Sequence, residues 1–197
     1  ELFHPNTKME RYAKKILCNP IWPLLCLGCN CENIVKFITG IKPMKISADW
    51  LNYPSTRSVM KRLVSRGYQA YFVGGCVRNT LLNIEATDID IATSAHPKKV
   101  LEIMENAGLK ALPTGIEHGT VTVVADKRNY EVTTLREDIE TDGRRAKVIF
   151  SKSIFEDANR RDFSINAIYC EQDGTILDPL EGIADIVEKR IKFIGDP

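Results

Sequence analysis

Strong charge of either sign is missing from this sequence. Its 27 Lys and Arg against 26 Asp and Glu leave a formal net charge of +1, so no global field announces a polyanionic partner, and contact with nucleic acid has to come from local patches. A bilayer-length apolar run is missing too. The apolar stretch Ile21 to Leu27 contains Pro23 and falls far short of the roughly 20 residues that a span requires. The same region has neither the apolar length nor the small-residue cleavage site of a signal peptide, and Glu1, Glu10 and Glu32 with little Ser or Arg argue against a mitochondrial presequence. These absences predict a cytoplasmic chain without a membrane partner, and no feature points to a protein partner.

Cysteine is unevenly spread. Four of the six, Cys18, Cys26, Cys29 and Cys31, fall within the first 43 residues, but the second Cys-x-x-Cys or His pair of a structural zinc site is absent, so zinc is disfavoured. Cys76 and Cys170 stand alone in apolar surroundings and are expected to be buried, reduced thiols. The first 43 residues also carry Pro20 and Pro23 and show no sustained helical or strand period. The chain opens at Glu1, and Met44-Lys45-Ile46-Ser47 reads as a natural start, which suggests upstream sequence joined to a coding region. Two nucleotide signatures are absent as well, namely G-x-G-x-x-G and G-x-x-x-x-G-K-[ST].

What is present concentrates between Tyr71 and Thr93, in YFVGGCVRNTLLNIEATDIDIAT. It reads as a strand entering Gly74-Gly75, a short helix bearing Arg78, and a second strand carrying Asp88 and Asp90. Strand alternation puts both carboxylates on one face, roughly 7 Å apart at Cα, with Ile89 and Ile91 on the other. Like charges so placed repel unless neutralised, and oxygen-only ligands suit Mg2+, which completes its shell with water and substrate phosphates. Gly74 and Gly75 lack a Cβ and let backbone approach a phosphate, while the N–H groups from Cys76 to Arg78 favour negative charge. Arg78 can fork two phosphate oxygens. A tight turn needs glycine anyway, and D-x-D often ends a solvated strand; the two motifs together favour a phosphate-plus-metal site.

The remaining elements are ordinary in pattern. Ser55 or Thr56 is expected to cap a helix with Val59, Leu63 and Val64 as its apolar stripe and Gly67 at its end. His96-Pro97 opens another helix, with Val100, Ile103, Met104 and Ala107 inward and Gly108 beyond. Leu109 to Leu112 reads as a short strand, and Thr120 to Ala125 with Tyr130 to Leu135 as a hairpin around Asp126 to Asn129. Glu131 falls near the start of the second hairpin strand, and His118 shapes the preceding loop. Residues Glu137 to Lys147 lack periodicity and are expected to form a mobile loop of the kind that closes over a site. Ser153 to Tyr169 reads as one helix with Asp162 and Asn166 on one face and Phe163 and Ala167 on another. On spacing alone, a solvated amphipathic helix and a substrate-binding one are equally supported. The fold class predicted is α/β with a mixed sheet.

The pattern V-G-G-x-V-R followed by D-x-D-x-A-T resembles the catalytic head of the tRNA nucleotidyltransferase (CCA-adding enzyme) and bacterial poly(A) polymerase family, within the polymerase-beta-like nucleotidyltransferases. R-R-D-x-x-x-N-A, from Arg160 to Ala167, matches that family's second signature, and E-V-T-T-L-R, from Glu131, the segment supplying a third carboxylate. Gly115 to Val121 resembles the CCA-adding branch more than the poly(A) branch. Asn79 departs from the family's usual aspartate, keeping an acceptor and losing a charge.

The resemblance implies a nucleotidyltransferase head over residues 44–170, the start of a neck over 171–197, and an atypical extension outside the catalytic fold over 1–43. It implies Asp88 and Asp90 as catalytic Mg2+ ligands with Glu131 completing the acidic cluster, a triphosphate cradle from Gly74, Gly75 and Arg78, and phosphate and ribose contacts from Arg160, Arg161, Asp162 and Asn166. The activity implied is template-independent addition of C and A to the tRNA 3′ end from CTP and ATP, in a chain that stops before the family's nucleotide-selecting helix. A poly(A) polymerase of the same family and an inactive nucleotide-binding remnant are the alternatives. A pure RNA-binding module is the least supported, given the near-zero charge and the lack of aromatic repeats.

Overall fold

The structure, a computed structural model, describes residues 43–139 and 147–195. The expectations for Cys18, Cys26, Cys29 and Cys31, and most of the expected loop between Glu137 and Lys147, lie outside the described residues. Contacts divide the chain into Glu1–Met44 and Lys45–Pro197, and the second unit holds every element named below. Among the described residues no helix is long and apolar enough to cross a membrane.

Two helices, α1 (Asp49–Asn52) and α2 (Pro54–Val64), precede strand β1 (Ala70–Val73). Then come α3 (Gly75–Leu81), β2 (Ile89–Thr93), α4 (Pro97–Glu105), β3 (Lys110–Gly115), β4 (Thr120–Ala125) and β5 (Arg128–Thr134). A small ribbon of β6 (Arg136–Ile139) and β7 (Lys147–Phe150) leads to α5 (Ile154–Asn159), β8 (Tyr169–Cys170), β9 (Ile176–Leu177) and α6 (Gly182–Val187). Seven strands form one sheet in the order β3-β4-β5-β2-β1-β8-β9. All its pairings are antiparallel except β2 with β5, which run parallel, so the sheet is mixed as the sequence predicts.

The residue patterns explain these elements. In β4, Val121, Val123 and Ala125 are buried while the residues between them are half-exposed, the period-two signal of a strand with one covered face. Ala125 pairs with Arg128, and both intervening residues, Asp126 and Lys127, have positive φ of 49° and 60°. That is the two-residue turn whose twist suits a hairpin. One sheet face carries the main core, in which α2 contributes Val59, Met60 and Leu63 and α4 contributes Val100, Ile103 and Met104 against Phe72, Ile91, Val121 and Val132. The other face carries a smaller cluster of Val73, Ala92, Leu135, Ala158, Ala167 and Tyr169. Cys76 and Cys170 are free thiols in the main core, and burial pushes both up to about 12, so neither is nucleophilic near neutral pH.

Four expectations are corrected. Helix α2 begins at Pro54 with Tyr53 at the cap, so neither Ser55 nor Thr56 caps it. Both are buried instead, because the Tyr130 hydroxyl, 2.8 Å from Ser55 Oγ and 3.1 Å from Thr56 Oγ1, needs polar partners inside the core. Val64 lies off the inner face and is 48% exposed. Asp88 precedes β2 and is not in it, because its β1 partner in the antiparallel register would be Gly75, which has already turned into α3. The single helix expected over Ser153 to Tyr169 is instead one short helix, an extended residue and a 3-10 turn (Ser164–Asn166) before β8. Backbone pairing outweighs the amphipathic pattern there, for Ser164 N–H donates to Lys192 O at 3.1 Å and Ile194 N–H to Asp162 O at 3.0 Å.

Candidate active site

The site is built where β1 ends and β2 begins. Val73 pairs with Asp90, and Asp90 pairs on its other side with Glu131 of β5, so the three residues occupy one sheet face. Gly74 follows at φ 75°, ψ −134°, a backbone conformation open to glycine. A Cβ on Gly74 would stand 3.5 Å from Asp90 Oδ2 and 3.9 Å from Arg161 Nη1. Glycine therefore serves the turn and also keeps the space between an acid and a guanidinium clear.

Asp90 is the electrostatic centre. Burial, then the neighbouring Glu131 and Asp88 carboxylates, push its acid up to about 6, while Arg161 pulls the other way. Its two acidic neighbours come from different places: Glu131 from the adjacent parallel strand, and Asp88 from the exposed loop, where the Thr87 hydroxyl donates to Asp88 Oδ2 at 3.0 Å. Among the described residues no three His, Cys, Asp or Glu side chains form a preformed metal cage. The trio is an open cluster of oxygen donors with excess negative charge, a donor set suited to a hard divalent cation that keeps other ligands of its own.

Opposite the acids, Asp157 of α5 organises two arginines. It is 1% exposed and accepts from Arg160 Nε at 2.9 Å and Nη2 at 2.8 Å, from Arg161 Nη2 at 3.0 Å, and from the Tyr169 hydroxyl at 2.7 Å. Burial works against its charge, yet Arg161 and Arg160 hold its carboxyl below the usual range. Arg161 is held on a second side by Tyr169, whose ring lies 5.5 Å from its guanidinium carbon. Sequence reasoning missed Asp157. The signal was there, an acid three and four residues before Arg160 and Arg161 on one helical turn.

Arg78 belongs to a separate network. Its Nε and Nη2 donate to Asn79 Oδ1 at 3.1 and 2.9 Å, and its Nη1 donates to Asn166 Oδ1 at 2.6 Å. Asn166 Nδ2 in turn donates to Asp162 Oδ1 at 3.1 Å. The amide at position 79 thus still orients Arg78 without a charge, and Asp162 and Asn166 meet directly across the 3-10 turn, not along a helix face. Gly75 borders the same group, a Cβ there falling 3.8 Å from Arg78 Nη2. The structure accordingly joins Gly74, Asp90, Glu131 and Arg161 in one group and Gly75, Arg78, Asn79, Asp162 and Asn166 in another, with Arg160 tied to Asp157. His118 lies in an exposed 3-10 turn (Ile116–His118), and His96 caps α4 with its ring 4.5 Å from that of Phe150.

This arrangement sits within residues 70–192, which match the Poly A polymerase head domain as a family. The chain belongs to that family. Its relatives sharpen the picture: it is 44% identical over 156 residues to the CCA-adding enzyme of Limosilactobacillus fermentum and 44% identical over 155 residues to that of Leuconostoc citreum. Each of those matches covers 78% of this chain and 38% of the relative. Among solved structures it resembles the Bacillus stearothermophilus CCA-adding enzyme in complex with CTP, with a TM-score of 0.65 and 40% identity over 73% of this chain and 33% of that one. It also resembles a tRNA nucleotidyltransferase complexed with a primer tRNA and an incoming ATP analog, with a TM-score of 0.57 and 30% identity over 70% of this chain and 39% of the other. This member of the head-domain family spans a little over a third of the length of those curated relatives.

Proposed function

We propose that this chain is the catalytic head of a cytoplasmic tRNA nucleotidyltransferase, which adds C and A residues to the tRNA 3′ end from CTP and ATP. The observation that carries the reading is the junction of Gly74, Asp90, Glu131 and Arg161, an acidic cluster facing a braced guanidinium across a cleared backbone turn. The relatives' names point to the same chemistry, since CCA-adding enzymes align with this chain over 78% of its length.

In this reading Asp88 and Asp90 hold Mg2+ and Glu131 completes the acidic cluster, a role that fits the carboxylate donors and the raised pKa of Asp90. A cation held by these carboxylates would supply charge neutralisation for attack of the 3′-hydroxyl on the α-phosphate. The protein's own groups do the positioning. Gly74 and Gly75 let the triphosphate lie against backbone, and Arg161, braced by Asp157, offers its free edge to phosphate oxygens beside Asp90. Arg160 draws on the same brace. Arg78 and Asn166 form a polar ledge for phosphate and ribose, which Asp162 steadies through Asn166. Pyrophosphate leaves from the arginine side, where positive charge meets the developing negative charge.

A poly(A) polymerase is the second reading, favoured by the head-domain family itself. Primer extension separates the two. With this head joined to the rest of a CCA-adding relative, a tRNA lacking its 3′ end should gain C then A and a generic RNA nothing, whereas the 197-residue chain alone should bind nucleotide without adding CCA. Extension of both with ATP alone would establish the second reading, and no incorporation from any nucleotide would leave a nucleotide-binding remnant.

A further inference from the structure

The outer face of α2 carries charge of one sign. Its inner face buries Ser55, Thr56, Val59, Met60 and Leu63, which turns Arg57, Lys61 and Arg62 to solvent along two adjacent rows of the helix. Arg66 follows just beyond the helix end. There is no acidic residue in α2, and among the described residues none of these four cations forms an ion pair. In a chain of net charge +1 this is a marked local concentration. A cleft of about 530 Å³ opens on the same face, lined by Arg57, Ser58, Lys61, Arg62, Ser65 and Gln172. Three cations, two hydroxyls and an amide line it, and no carboxylate does. The nearby Asp173 is neutralised by Lys45.

We propose that this face of α2 binds the phosphodiester backbone of RNA away from the reacting end. The inference rests on the proposed function for the identity of the RNA. The chemistry fits a polyanion with regularly spaced monoanionic groups: residues four apart on a helix stand about 6 Å apart, close to the spacing of successive phosphates along a strand. Lys61 and Arg62 in the last turn also complement the helix dipole, but that accounts for neither Arg57 in the first turn nor the hydroxyls and amide that complete the cleft. Contacts to phosphates position the RNA and carry no sequence information themselves.

The test uses the 197-residue chain, with binding of fluorescent tRNA measured by anisotropy across a salt series. The triple variant R57Q/K61Q/R62Q is compared with K98Q/K110Q/K152Q, which removes equal charge from other exposed positions. Loss of three phosphate contacts is expected to lower the slope of log affinity against log salt by about two, since each neutralised phosphate contributes roughly 0.7–0.9. Affinity at low salt should fall at least tenfold, the control triple should change slope by under half a unit, and both should keep the parent's Mg-CTP affinity. An unchanged slope, an equal loss in both triples, a parallel loss of Mg-CTP affinity, or binding to anionic vesicles but not to tRNA would each overturn the assignment. Failure of the parent to bind Mg-CTP would instead strike the proposed function, while the slope comparison would still decide this surface.

Discussion

Replacing Asp90 with Asn should make the protein more stable and catalytically dead. The wild-type acid rises from 3.8 to about 6 on folding, through burial first and the Glu131 and Asp88 charges second. A carboxyl whose pKa is raised in the folded state favours folding only while protonated. Below about pH 3.8 Asp90 is protonated in both states and carries no penalty; the penalty grows between 3.8 and 6 and is complete above that. Two pH units correspond to a ceiling of roughly 3 kcal/mol, and solvent reaching this half-buried carboxylate reduces it to ~1–2 kcal/mol. Asparagine copies the neutral form, and Arg161 is not orphaned, because Asp157 and Tyr169 still hold it. The expected result is a midpoint raised by roughly 2–6 °C at pH 7.5, no gain at pH 3.5, and recovery of the parent alone on adding Mg2+. Thermal melts by circular dichroism from pH 3.5 to 8, with and without Mg2+, measure all three. A D90N variant that is no more stable than the parent at pH 7.5, or a gain independent of pH, would refute the account of strained charge. Retention of nucleotidyl transfer within about tenfold, ~1.4 kcal/mol, would refute its catalytic role.

Asp157→Ala should act in the opposite sense, costing about 3–5 kcal/mol at pH 7 because it leaves Arg160 and Arg161 half-buried and unpaired. Because the folded pKa of Asp157 is lowered, that deficit should shrink as pH falls below the ordinary carboxylate range, and a denaturation series against pH checks it. Gly182→Ala should destabilise strongly, since the added Cβ would meet Ser164 O at 2.3 Å and push α6 off the 3-10 turn that carries Asn166; urea unfolding reads the loss. If Gly74, Gly75, Arg78, Arg161, Asp162 and Asn166 serve phosphate, metal and sugar as proposed, Mg2+ complexes of CTP, ATP, GTP and UTP should bind within about tenfold of one another. A four-nucleotide titration with a CTP and ATP preference beyond that would reveal a base-reading group in this chain.

Much of this protein was decided within single segments of sequence. Alternation in Val121, Val123 and Ala125 marks β4, and the Gly-Gly turn and the paired acids mark the candidate site. These signals are legible because a strand or helix repeats every two or 3.6 residues and needs no knowledge of the rest of the chain. The tertiary structure decided what depends on distant partners. Glu131 is an active-site candidate because β5 runs parallel to β2 in a register that sets it beside Asp90, a pairing across 41 positions that no local period encodes. Ser55 and Thr56 look like caps until Tyr130 is found to require their hydroxyls inside the core. The segment after Asn159 has a helical pattern, but hydrogen bonds to Lys192 and Ile194 draw it out into an extended residue and a 3-10 turn, which aims Asn166 at Arg78. Asp157 reads as one acid among 26; only when buried beneath both arginines and Tyr169 does it become the brace of the site, because the worth of an ion pair is set by its burial and its neighbours.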